Sequence, residues 1–187
     1  MRVLKRLIKS IFSDPDVKQK FVRGPAATNV HHAWIGGLIN CLFAFWYHGI
    51  PMVGHRARKF EPQAAIRLMA DHRIRNVFFP PTALKLMMKA VPQPRKQFSL
   101  NLRSIMSAGE SVGVTVIEWA REELGVTINE MFGQTEINYV VGNCQAAWPV
   151  KPGSIGRPYP GHCVAVIDEK GNELPRGELG EIAVKKD

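Results

Sequence analysis

The chain has 187 residues, 45% of them apolar and 22% charged, and its 25 basic side chains against 16 acidic ones leave a formal charge of +9. This composition excludes a disordered chain and is enough for a real hydrophobic core. Much of the positive excess lies at one end, where Arg2, Lys5, Arg6, Lys9, Lys18, Lys20 and Arg23 face only Asp14 and Asp16.

Cys41, Cys144 and Cys163 have no C-x-x-C spacing, which argues against a disulfide framework or a zinc site. The most apolar run, residues 33–47, contains Asn40 and falls short of the roughly 18 residues of a membrane span. A soluble, cytoplasmic protein is expected.

At the N-terminus, Val3, Leu4, Leu7, Ile8, Ile11 and Phe12 recur at helical spacing, opposite Arg2, Lys5, Arg6 and Lys9. This is a basic amphipathic helix. Packing of its stripe on its own protein is preferred to an anionic membrane surface or a transit peptide. No basic stripe with interleaved aromatics supports nucleic-acid binding.

Residues 13–29, with Pro15, Pro25 and Gly24, read as a loop. Residues 33–48 read as a buried helix, apolar nearly all round and closed by Gly49. A short strand follows at 50–53, then a helix at 62–71 with Ala65, Ile66 and Met69 inward, and a strand at 74–79. Residues 82–90 form the next helix, with Thr82 as N-cap and Leu84, Met87 and Met88 inward. A strand at 103–107 precedes a helix at 115–124, which carries a Thr115/Glu118 capping box and stops at Gly125; a strand follows at 127–132.

The β-α-β-α-β-α-β order implies an α/β fold with a parallel sheet and right-handed crossovers, whose ligands collect at the carboxyl ends of the strands. Two loops stand there, residues 107–112 and 132–136. Beyond residue 138 the pattern becomes antiparallel, with strands at 139–142, 163–167 and 180–184 and a turn at 168–172. Three regions are therefore expected: a basic segment at 1–32, an α/β part at 33–138 and a β-rich part at 139–187.

Taken alone, a Gly133-Gln134-Thr135-Glu136 string is weak evidence of function, although Thr135 offers a hydroxyl to phosphate and Glu136 a hard carboxylate to Mg²⁺. The string does not stand alone. In fixed order the chain also holds Trp34-Ile35-Gly36-Gly37-Leu38, Pro80-Pro81-Thr82, Ser107-Ala108-Gly109-Glu110-Ser111, Gly153-Ser154-Ile155-Gly156-Arg157-Pro158, Pro160-Gly161 and Gly177-Glu178-Leu179-Gly180-Glu181-Ile182. Over about residues 33–185 this series resembles the acyl-CoA synthetases of the adenylate-forming superfamily, particularly the acetyl-CoA and medium-chain acyl-CoA synthetase-like members.

The resemblance implies part of the large N-terminal domain of an AMP-forming ligase using ATP, Mg²⁺ and CoA, with a carboxylic acid as the other substrate. It places Gly109, Glu110 and Ser111 along the adenine, and Glu130, Met131, Phe132, Gly133, Gln134 and Thr135 in the segment that stacks on the base and touches the α-phosphate. Glu136 matches the magnesium-binding Glu, so Thr135 and Glu136 are the catalytic pair. Gly133, where acetate-restricted members have Trp, implies room for a longer acyl group beside Trp34, Ile35 and Gly36.

The family's phosphate loop, its ribose-binding Asp and its lid Lys have no match in this chain. Poor activity alone is therefore expected, along with association through bared sheet edges. A non-catalytic remnant or nucleotide-binding module is the alternative. The six histidines are dispersed, Met69, Met87, Met88 and Met106 read as packing residues, and Ser107 is not in a Gly-x-Ser-x-Gly elbow.

Overall fold

The computed structural model describes residues 26–28, 38–54 and 59–185. The basic helix read at residues 1–12 and the positions Trp34, Ile35 and Gly36 lie outside the described residues.

Five parallel strands form the body of the sheet: β1 (Ala26–Thr28), β2 (Met52–Val53), β3 (Asn76–Phe78), β4 (Ser104–Ala108) and β5 (Ile128–Gln134). Their spatial order is β2-β1-β3-β4-β5, and β6 (Asn138–Gly142) and β7 (Arg157–Pro158) continue the same sheet antiparallel. A separate antiparallel pair, β8 (Val164–Ile167) and β9 (Glu181–Val184), matches the expected β-rich end.

β1 corrects the loop read over residues 13–29. A three-residue strand behind Pro25 is too short to show alternation, yet it lies between β2 and β3 and joins both. The step from β4 to β5, by contrast, links spatial neighbours.

Helices α2 (Pro62–Asp71), α3 (Pro81–Ala90) and α4 (Val114–Trp119) cover one face of the sheet, and α1 (Ala44–Tyr47), entered through a π-helical turn at Leu38–Phe43, lies on the other. Alternate residues of a strand point to opposite faces. Val77, Ile105 and Ile128 accordingly join Ile66, Met69, Leu84, Met87 and Val116 in the larger core. Phe78, Ala108 and Met131 meet Cys41 and Tyr159 in the smaller one.

Several local expectations change. Residues 38–47 are not buried all round: Cys41 is, but Phe43, Trp46 and Tyr47 are 50%, 59% and 70% exposed, because only one side of this short segment meets the sheet. Thr82 is not a cap; Pro80 holds that position and Pro81 begins the helix, its missing N–H costing nothing in the first turn. The Thr115/Glu118 box does not form, since Gly113 at φ +85° occupies the cap position without a side chain to offer. α4 widens into a π-helical turn at Ala120–Leu124, and Gly125 ends it in the left-handed conformation at φ +71°, as its sequence position suggests.

Candidate functional site

The register of β4 on β5 pairs Ser107 with Glu130 and Ala108 with Met131. The Gly109-Glu110-Ser111 bend therefore leaves β4 at the level of Phe132. Gly109 has φ +101°, a conformation L side chains rarely adopt, while Glu110 and Ser111 are exposed.

This bend is tied down from two sides. From α3, the Thr82 hydroxyl donates to Glu110 Oε1 at 2.7 Å, and Lys85 Nζ donates to the Ser111 carbonyl at 3.4 Å. From β5, Glu130 Oε1 accepts the Val112 N–H at 3.2 Å. Glu130 is 7% exposed, so in this structure its carboxylate joins the two motif segments. Ser107, beside it in register, buries its hydroxyl with no hydrogen-bond partner among the described residues. The sequence reading singles out Glu110 and Glu130 as site residues, but takes Thr82 as a helix cap and gives Val112 no role. The Pro80-Pro81-Thr82 string is the signal available for Thr82.

The second segment is not the loop read at residues 132–136, because β5 runs on through Gln134. Met131 belongs to the smaller core, Phe132 is half-buried, and Gln134, Thr135 and Glu136 are exposed. The β5–β6 pairing shifts register between Phe132 and Gly133, a bulge that re-aims the strand end. The turn is closed by the Ile137 N–H donating to the Gln134 carbonyl at 3.2 Å, and Asn138 follows at φ +61°, where asparagine is better tolerated than most residues. Thr135 and Glu136 thus stand at the tip of a tight hairpin, at the same carboxyl end of the parallel strands as the Glu110 bend.

Gly133 stands where β6 main chain passes close by, and a Cβ there would run into the Asn138 carbonyl, so the position has its own packing reason to be glycine. Trp34, Ile35 and Gly36, the other residues assigned to the acyl pocket, lie outside the described residues.

Among the described residues no three His, Cys, Asp or Glu side chains form a metal cage. Mg²⁺ needs no such cage, because it is usually held by one or two carboxylates together with substrate phosphates. The exposed carboxylate of Glu136 beside the Thr135 hydroxyl fits that role. An open cleft of about 480 Å³, lined by residues including Ile117, Arg121, Thr127, Trp148 and Pro152, lies at the amino end of β5, the end opposite the two motif segments.

Behind the site, in and around the smaller core, burial raises the proton affinities of Tyr159 and Cys144. Arg103 is lowered, by burial first and then by the like charge of Arg75.

The AMP-binding enzyme family matches residues 26–187, and the chain belongs to that family. It is 31% identical over 153 residues to the human mitochondrial acyl-coenzyme A synthetase ACSM4, covering 81% of this chain and 26% of that protein. It is 30% identical over 156 residues to the acetyl-coenzyme A synthetase of Bacillus subtilis (strain 168), covering 82% of this chain and 27% of that one. A crystal structure of Brucella canis acyl-CoA synthetase superposes with a TM-score of 0.80 at 29% identity, over 87% of this chain and 30% of the other. The chain thus spans about a quarter of the length of the curated relatives it matches. No helix among the described residues is long and apolar enough to cross a membrane.

Proposed function

We propose that this chain supplies the adenylate-holding part of an AMP-forming acyl-CoA synthetase. The observation that carries the proposal is the β4–β5 register, which brings the anchored Glu110 bend and the Thr135–Glu136 turn to the same carboxyl end of two neighbouring parallel strands. Phe132 offers an aromatic face to the adenine, with Gly109, Glu110 and Ser111 along its rim. The Thr135 hydroxyl donates to an α-phosphate oxygen, and the Glu136 carboxylate holds Mg²⁺. Bound there, the metal offsets negative charge on the phosphates.

In the first reaction a substrate carboxylate oxygen attacks the α-phosphorus and the bond to pyrophosphate breaks, giving an acyl-adenylate. In the second, the CoA thiol attacks the acyl carbon, the carbon–oxygen bond to AMP breaks, and the thiol proton is lost to solvent. The substrates are therefore a carboxylic acid, ATP and CoA, in keeping with fatty acid metabolism. Cytoplasmic residence belongs to the same proposal, although the human relative's name places that protein in mitochondria.

Low turnover by this chain alone is also part of the reading. Adenylyl transfer draws mainly on positioning and on charge stabilisation of the phosphates, and neither motif segment, residues 109–111 or 130–136, carries a basic side chain.

Calorimetric titration with AMP, together with acid-dependent exchange of pyrophosphate into ATP, tests the proposal. AMP binding is expected, and any exchange should disappear in Glu136→Ala. Binding with no exchange marks a nucleotide-holding module that does not turn over, and absence of binding refutes the nucleotide reading.

A further inference from the structure

We propose that Thr82 is a positioning residue for the nucleotide bend, acting through Glu110; this rests on the nucleotide reading above. β3 lies beside β4 in parallel register, with Phe78 opposite Met106, so the first turn of α3 stands next to the carboxyl end of β4. Because Pro80 and Pro81 begin the helix without a side-chain cap, the Thr82 hydroxyl is not engaged there and reaches Glu110, 28 residues on.

Three residues further along the same helix, Lys85 meets the Ser111 carbonyl. Residues three apart share a helix face, so α3 presents one polar edge to two consecutive residues of the bend. Thr82 and Lys85 are both exposed, whereas Ala83, Leu84 and Met87 fill the core. Neither polar side chain is needed to bury α3.

Without Thr82, an exposed glutamate on a bend that begins at a left-handed glycine samples many rotamers. With one oxygen held at 2.7 Å, the carboxylate and the main chain beneath it are set before a ligand arrives, which lowers the ordering cost of binding. The Val112 N–H, held by Glu130, fixes the far end of the bend.

The experiment compares the full chain with Thr82→Val, which keeps the shape and removes the hydroxyl, and Thr82→Ser, which keeps the hydroxyl. AMP affinity is read by calorimetry, and amide hydrogen exchange is followed over residues 109–113 and, as a control, over β4. In Thr82→Val, AMP binding should weaken about tenfold, the loss of one hydrogen bond to a charged group. Exchange over residues 109–113 should quicken while β4 is unchanged, and Thr82→Ser should restore both.

Unaltered AMP affinity or unaltered exchange in Thr82→Val overturns the inference. If the unsubstituted chain fails to bind AMP, the nucleotide reading falls and Thr82 has no nucleotide to position. The exchange comparison then still decides whether Thr82 holds the bend.

Discussion

A methyl group at Gly133 would meet the Asn138 main chain across the β5–β6 hairpin, where the register shift leaves no slack. Gly133→Ala is therefore expected to destabilise the fold by about 1–3 kcal/mol, the usual cost of overpacking, read as a lower urea midpoint. A gain in stability would show that the hairpin can relax.

Tyr159 offers a second test at this scale. It is 7% exposed, its hydroxyl donates to the Asn143 carbonyl at 3.3 Å, and burial pushes its proton affinity up. A phenol that holds its proton more tightly when folded contributes stability that is complete below the unfolded value of about 10. That contribution is lost as pH rises through the folded value. Tyr159→Phe should cost about 1 kcal/mol at neutral pH and flatten the alkaline fall in stability above about pH 10. Denaturant titrations across pH would reveal an equally steep fall if another group were responsible.

At the scale of elements, α3 has two duties that separate by face. Leu84 and Met87 are fully buried, so Met87→Ala should cost about 2–5 kcal/mol through lost transfer energy and a residual cavity. Thr82→Val, on the outer face, should leave the melting temperature nearly unchanged. Equal destabilisation by the two substitutions would remove the distinction.

Periodicity made this helix legible: the sequence reading spans residues 82–90 and the structure Pro81–Ala90, while α2 agrees at both ends. Its start is not legible, because threonine is a common cap and a Pro-Pro pair that needs none carries no periodic signal. β1 is hidden for a related reason, since three residues are too few to alternate.

At the scale of the molecule, association is expected through sheet edges and bared apolar surface, and within the larger sheet the edges are the weaker candidate. The edge strands β2 and β7 have two residues each, and β7 contains Pro158; short edges and proline both discourage strand addition. The larger apolar exposure among the described residues is the stripe of Phe43, Trp46 and Tyr47 at and within α1. Concentration-dependent association is expected in sedimentation velocity, and a Trp46→Gln, Tyr47→Gln double substitution should reduce it. Association unaffected by that pair would return attention to the edges.

The sequence by itself determined the α/β alternation, the helices on the larger core and the chemical identity of the two motif segments. Each of these is written in local spacing, and apolar periodicity selects an element without reference to its neighbours. Only the tertiary structure decided that β1 lies between β2 and β3, that β6 fills the space beside Gly133, and that Thr82 holds Glu110 while Glu130 holds Val112. Those outcomes depend on register and on contacts between residues far apart in the chain, where geometry across the sheet, and no nearby pattern, sets which groups meet.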